Sequence, residues 1–176
     1  MKLSLFRKKS PWILHYNAGS CNGCDIEILA CLAPHYDIER LGMLNKGNPK
    51  QADILLITGP VTNRCRERVV ELYAQIAEPK VVVAVGTCAC TGGIFRNMYH
   101  TAKGVDRLIP VDVYVSGCAC RPEQIIEGAA RGLEILAQKT RAIEKPFQLF
   151  GKLAEQNGWN DRRNMAGRVE VKNEQD

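Results

Sequence analysis

The sequence predicts an α/β fold, a doubly wound parallel sheet with helices on both faces. Short runs of Val, Ile and Leu alternate with segments of helical periodicity along the chain. Two of the runs, residues 53–58 and 80–85, are continuously apolar apart from polar end residues, as strands buried on both faces require, and each is followed by glycine. Strands joined through helices pair in parallel by right-handed crossovers, and such sheets gather functional groups beyond the carboxyl ends of their strands.

Taken in order, residues 1–10 form a basic segment, with Lys2, Arg7, Lys8 and Lys9 and no acid. With Leu3, Leu5 and Phe6 it can lie against an anionic membrane or a membrane subunit, or remain a solvated end. The domain proper is expected over residues 11–145. Residues 12–16 read as the first strand, stopped by the turn signal Asn17-Ala18-Gly19. Ile26, Ile28, Leu29 and Leu32 then give a helical stripe over 25–32, closed by Pro34. Residues 38–44 read as a second strand before a polar loop over 45–51. Between the two continuous apolar runs, Val69, Val70, Leu72, Tyr73 and Ile76 mark a helix over 64–77, ended by Pro79. A last strand over 111–115 leads into Ser116-Gly117. Pro122 then opens a long helix to about residue 143, carried by Ile125, Ile126, Ala129, Leu133 and Leu136. Residues 146–176 are polar without sustained periodicity and are expected to wrap a partner or stay disordered.

A length of 176 residues suits one compact domain. The net charge of +5 sits mostly in the first ten residues. With no basic stripe interleaved with aromatics, nucleic-acid binding is not expected. No run approaches a transmembrane helix, and the N-terminus lacks the apolar core of a signal peptide, so a cytoplasmic chain is expected. Eight cysteines in such a chain indicate metal binding or redox chemistry before a disulfide framework.

The cysteines fall at strand ends. Cys21-Asn22-Gly23-Cys24 follows the first strand, and Gly86-Thr87-Cys88 and Gly117-Cys118 each follow a later one. If these strands lie side by side, four thiols meet at one edge of the sheet and can hold an iron–sulfur cluster. Structural zinc and a thiol redox pair are the alternatives, although zinc fingers more often use two local pairs. Cys31 and Cys65 sit inside helical patterns and read as small buried hydrophobes. Cys90 and Cys120 stay open, since either can replace its neighbour two residues earlier. His15 and His35 read as structural.

Together, Ser20-Cys21-Asn22-Gly23-Cys24-Asp25-Ile26-Glu27, Thr58-Gly59-Pro60-Val61-Thr62, Gly86-Thr87-Cys88-Ala89 with Gly92-Gly93, and Gly117-Cys118 with Arg121-Pro122-Glu123 resemble the small-subunit family shared by [NiFe] hydrogenases and complex I. The Cys-x-x-Cys station is similar to that of membrane-bound, energy-converting (Ech-type) hydrogenases, where complex I has two adjacent cysteines. The resemblance implies a flavodoxin-like sheet with one [4Fe–4S] cluster at the C-terminal strand ends, ligated by Cys21, Cys24, Cys88 and Cys118. It also implies an electron relay from a ferredoxin-like iron–sulfur subunit to the nickel–iron site of a large subunit, where protons become H2. Membrane-embedded ion-translocating subunits complete the implied complex, with this chain peripheral on the cytoplasmic side. Glu27 aligns with a family acid at the subunit interface and is a candidate for proton transfer, against the plainer reading of a helix-start carboxylate. Arg121, beside the last ligand, can balance negative charge on reduction or form a surface salt bridge. One departure stands out: the family has proline directly after the last ligand, whereas Ala119-Cys120 intervenes here. The alternatives are the same relay in a nickel-free sulfur-reducing or complex I-like assembly, and a zinc-stabilised scaffold.

Overall fold

The computed structural model of the protein describes residues 10–156, with side chains as far as Ile143. Its strands are β1 Trp12–Asn17, β2 Leu44–Asn45, β3 Ile54–Thr58, β4 Val81–Val85 and β5 Val113–Val115. They form one sheet in the order β2-β1-β3-β4-β5, every pairing parallel. The helices are α1 Gly23–Leu32, α2 Asn63–Gln75, α3 Thr87–Thr91 and α4 Pro122–Gln156. This is the flavodoxin-like order, and its direction reverses between β1 and β3. Register places Asn17 opposite Thr58, Thr58 opposite Val85, and Val85 opposite Val115. Four strands therefore stop level with one another, and the loops that follow them open onto the same edge.

Alternation along the buried strands builds the two core layers. Ile54, Leu56, Val81, Val83, Val85, Val113 and Val115 pack with Ile28 of α1 and Ile125, Ala129 and Leu136 of α4. Leu55, Ile57, Val82 and Ala84 face the other way, onto Val69 of α2 and Ala89 of α3. A close approach fixes α4 on the sheet, because a Cβ on Gly128 would overlap Val115 Cγ2. No helix among the described residues is long and apolar enough to cross a membrane.

Two expectations are corrected. The second strand is not over 38–44: Ile38–Leu41 is a 3₁₀ turn, and pairing is confined to Leu44–Asn45. Asp37 at φ 43° and Gly42 at φ 84° bracket the turn in the left-handed region, so Ile38 and Met43 reach the core as single anchors. The last helix continues past residue 143 to Gln156, where Phe147, Phe150 and Leu153 extend an apolar spacing in the sequence. The sheet-bearing unit ends at Thr140, and the described residues 141–156 belong to a second unit. Most of the basic N-terminal segment, residues 1–9, and the tail over 157–176 lie outside the described residues.

Candidate cluster site

The turn between β1 and α1 is organised by side chains on its own short stretch. Asn17 Oδ1 accepts from the backbone N–H groups of Gly19 and Ser20, both at 2.8 Å. Its amide donates to Ser20 Oγ at 3.0 Å, Asn22 Oδ1 at 3.1 Å and Asp25 Oδ2 at 3.0 Å. Asn22 precedes the helix at φ 69°, which turns the chain sharply between Cys21 and Cys24.

Asp25 follows Cys24 and is 7% exposed. Its Oδ1 accepts from His15 Nε2 at 2.7 Å and from Thr58 Oγ1 at 2.6 Å. Its Oδ2 accepts from Asn17 and from the Ser20 hydroxyl. Burial opposes its ionisation, yet bonds from Ser20, Thr58 and His15 outweigh that and hold the carboxyl below its ordinary range. Sequence reasoning missed this group. The available signal was an acid in the first turn of an apolar helix, with Asn17 and Thr58 closing two neighbouring strands.

The later loops latch onto each other. Gly86 N–H donates to the Val115 carbonyl at 2.8 Å, and Thr87 N–H to the Gly117 carbonyl at 2.9 Å. Gly86 has φ 92° and ψ 152°, and a Cβ there would stand 2.7 Å from Cys24 Sγ. Only glycine allows both that conformation and that approach. The Cys118–Ala119 peptide is cis.

Cys21, Cys24, Cys88 and Cys118 all line one cavity of about 70 Å³, whose other walls include Gly23, Gly59, Val85 and Ala119. Cys21 and Cys118 are exposed, while Cys24 and Cys88 are half-buried. No imidazole or carboxylate lines the cavity; besides the Ser20 and Thr87 hydroxyls its polar side chains are the four thiols, a donor set that suits an iron–sulfur cluster. Among the described residues no three His, Cys, Asp or Glu side chains converge on a single point that would hold one ion. Cys88 is shifted up by burial and then by the neighbouring charges of Cys118, Cys21 and Cys24.

Cys90 and Cys120 do not line the cavity. Cys120 is fully buried, and its thiol donates to the Val115 carbonyl at 3.3 Å. Cys90 approaches the carbonyls of Ala84 at 3.6 Å and Val115 at 3.7 Å. Burial pushes Cys90 up to about 11. The neighbouring Cys120 thiol brings Cys24 down to about 6, against burial, and its closeness to Cys24, with burial, drives Cys120 strongly upward.

Cys31 is buried in the core, its thiol 3.2 Å from the Glu27 carbonyl, and burial raises it to about 11. Cys65 is half-buried against the second layer. His15 belongs to the Asp25 network, whereas His35 is exposed and meets Tyr36 edge to face. Glu27 is half-buried on α1, three residues after Cys24, and Arg121 is exposed at the start of α4. Apolar side chains are exposed in the sequence neighbourhood of the cysteines: Ile26 (63%), Leu29 (56%), Ile94 (83%) and Tyr99 (85%).

Comparison with known proteins places this arrangement. The family model described as "NADH ubiquinone oxidoreductase, 20 Kd subunit" matches residues 21–131, a stretch containing all four cavity cysteines. "Probable membrane-bound hydrogenase subunit mbhJ" of Pyrococcus furiosus is 50% identical over 145 residues, covering 82% of this chain and 87% of its own length. A subunit of the NADH-quinone oxidoreductase of Chlorobium phaeobacteroides is 40% identical, over 88% of this chain and 80% of its own. A chain from the membrane-bound sulfane sulfur reductase, an archaeal respiratory membrane complex, superposes with a TM-score of 0.67 at 32% identity, over 96% of both chains. The chain therefore belongs to the 20 kDa-subunit family of NADH–ubiquinone oxidoreductase, the family that also takes in the small, electron-transfer subunits of membrane-bound hydrogenases.

Proposed function

We propose that this chain is the electron-relay subunit of a membrane-bound [NiFe] hydrogenase and holds one [4Fe–4S] cluster through Cys21, Cys24, Cys88 and Cys118. The observation that carries the reading is that four thiols, from three separate strand ends, line one cavity that no imidazole or carboxylate enters. When bound, the cluster supplies one-electron storage between a donor and an acceptor. Electrons come from a ferredoxin-like iron–sulfur subunit and leave for the nickel–iron site of a large subunit, where protons are reduced to H2. Membrane-embedded subunits couple this to ion translocation, and the chain sits on the cytoplasmic side of the membrane.

The protein's own part is placement and shielding. Gly86 lets the β4 loop close over Cys24, and the Gly86 and Thr87 bonds to the β5 loop fix the spacing of Cys88 from Cys118. Amides at the start of α1 put partial positive charge beside the thiolates. Exposed Ile26, Leu29, Ile94 and Tyr99 support docking of the large subunit next to the cluster. Glu27, on the same helix, is the candidate for passing protons across that contact.

Likeness to the sulfane sulfur reductase chain favours a second reading, the same relay in a nickel-free complex. The native complex, purified anaerobically, separates the two by its nickel, iron and acid-labile sulfide content and by hydrogen evolution with reduced ferredoxin. Nickel with hydrogen evolution is the expected result. Iron and sulfide without nickel or hydrogen would move the chain to the second reading, and zinc without labile sulfide would reduce it to a scaffold.

A further inference from the structure

We propose that Asp25 is the positioning residue of the cluster site: its buried carboxylate ties the Cys21–Cys24 turn to the ends of β1 and β3, so that both thiols face the cavity shared with Cys88 and Cys118. The inference rests on reading those cysteines as cluster ligands.

A buried carboxylate is costly unless its acceptor sites are filled. The two oxygens of Asp25 offer about four such sites, and four side chains donate to them. The donors come from separate places in the fold: His15 and Asn17 from β1, Thr58 from the end of β3, and Ser20 from the turn itself. The bond from the Ser20 hydroxyl to Asp25 spans the Cys-x-x-Cys segment from the residue before Cys21 to the residue after Cys24. Ser20 Oγ also accepts from the Asn22 N–H at 3.1 Å, inside that span. Thr58 is fully buried, as is the strand that carries it, so the anchor is rigid. Glu27 is only half-buried on the same helix and makes no comparable set of contacts among the described residues. The network therefore acts by holding the ligands in place.

The test uses the whole complex carrying Asp25→Ala, Asp25→Asn or Cys24→Ala. Each is read by iron and labile sulfide per complex, by the EPR g values of the reduced cluster, and by its midpoint potential. The signal lost in Cys24→Ala identifies the cluster of this chain. Asp25→Ala is expected to lose that signal at least severalfold. Asp25→Asn keeps one acceptor oxygen, and is expected to retain the cluster with shifted g values and a more positive midpoint, which a loss of fold stability alone would not produce. Wild-type content, g values and potential in both Asp25 variants, with the signal gone in Cys24→Ala, would overturn the positioning role and leave the ligand reading standing. An intact signal in Cys24→Ala would instead overturn the ligand reading.

Discussion

Replacing Gly86 with alanine puts the site geometry under the most direct strain. At φ 92° and ψ 152° the backbone lies in a region nearly confined to glycine, and holding another residue there costs of order 1–3 kcal/mol. The added Cβ would also stand 2.7 Å from Cys24 Sγ, against ordinary contacts from 3.4 Å, so the sulfur or the loop must give by about 0.7 Å (3.4 less 2.7). Overpacking of that kind costs about 1–3 kcal/mol more. The sum, about 2–6 kcal/mol, is a large share of the 5–15 kcal/mol typical of a folded domain. For a domain of this size the lower figure alone moves the melting temperature by about 4–8 °C. Thermal unfolding by circular dichroism, run beside iron and labile sulfide determination, reads both consequences. The expected outcome is a lower melting temperature together with a cluster content far below wild type, because the strain falls on a ligand sulfur. A Gly86→Ala protein that melts within a degree or two of wild type and keeps its full iron and sulfide would refute the reasoning.

Three further outcomes follow from the same geometry. Cys90→Ala and Cys120→Ala should each keep full cluster content, since neither thiol lines the cavity and both approach backbone carbonyls; loss of iron in either would reassign a ligand. In the complex, Glu27→Gln should slow hydrogen turnover while the EPR spectrum stays unchanged, and an unaltered rate would remove Glu27 from the proton route. In the cluster-free chain, Cys24 is held down to about 6 by the Cys120 thiol, so it is mostly thiolate at neutral pH and loses reactivity as the pH falls through that value. Iodoacetamide labelling followed by mass spectrometry should find Cys24 modified ahead of Cys31 and Cys90, both raised to about 11, and Cys120→Ala should slow Cys24 at pH 6.5.

The sheet was readable because β3 and β4 are buried on both faces, and runs of four and five successive apolar residues there leave little else to be. The crossover rule then carries the chain to the parallel order observed. The second strand was not readable: the apolar residues over 38–44 serve as isolated anchors around a left-handed bend, and a composition of mixed Ile, Leu and Met does not distinguish that from pairing. The choice between Cys88 and Cys90 was also out of reach while residues 86–90 read only as a strand end, where positions two apart share a face. They lie in the short helix α3, where two residues are separated by about 200°, so one thiol meets the cavity and the other turns toward the sheet. The Asp25 network depends on the strand ends being level, a property of register that no local pattern carries.

Both margins of the sheet are blunt. The outer strands pair over only two residues on one side and three on the other, while the three inner strands run five or six. So few unpaired amides and carbonyls give an incoming strand almost nothing to hydrogen-bond, and strand addition needs such a row. Neighbouring subunits are thereby steered away from the flanks and toward helices and loop tips, where side-chain shape decides who fits. A subunit of a multisubunit complex gains selectivity from this, because indiscriminate backbone pairing is disfavoured at both margins of its central sheet.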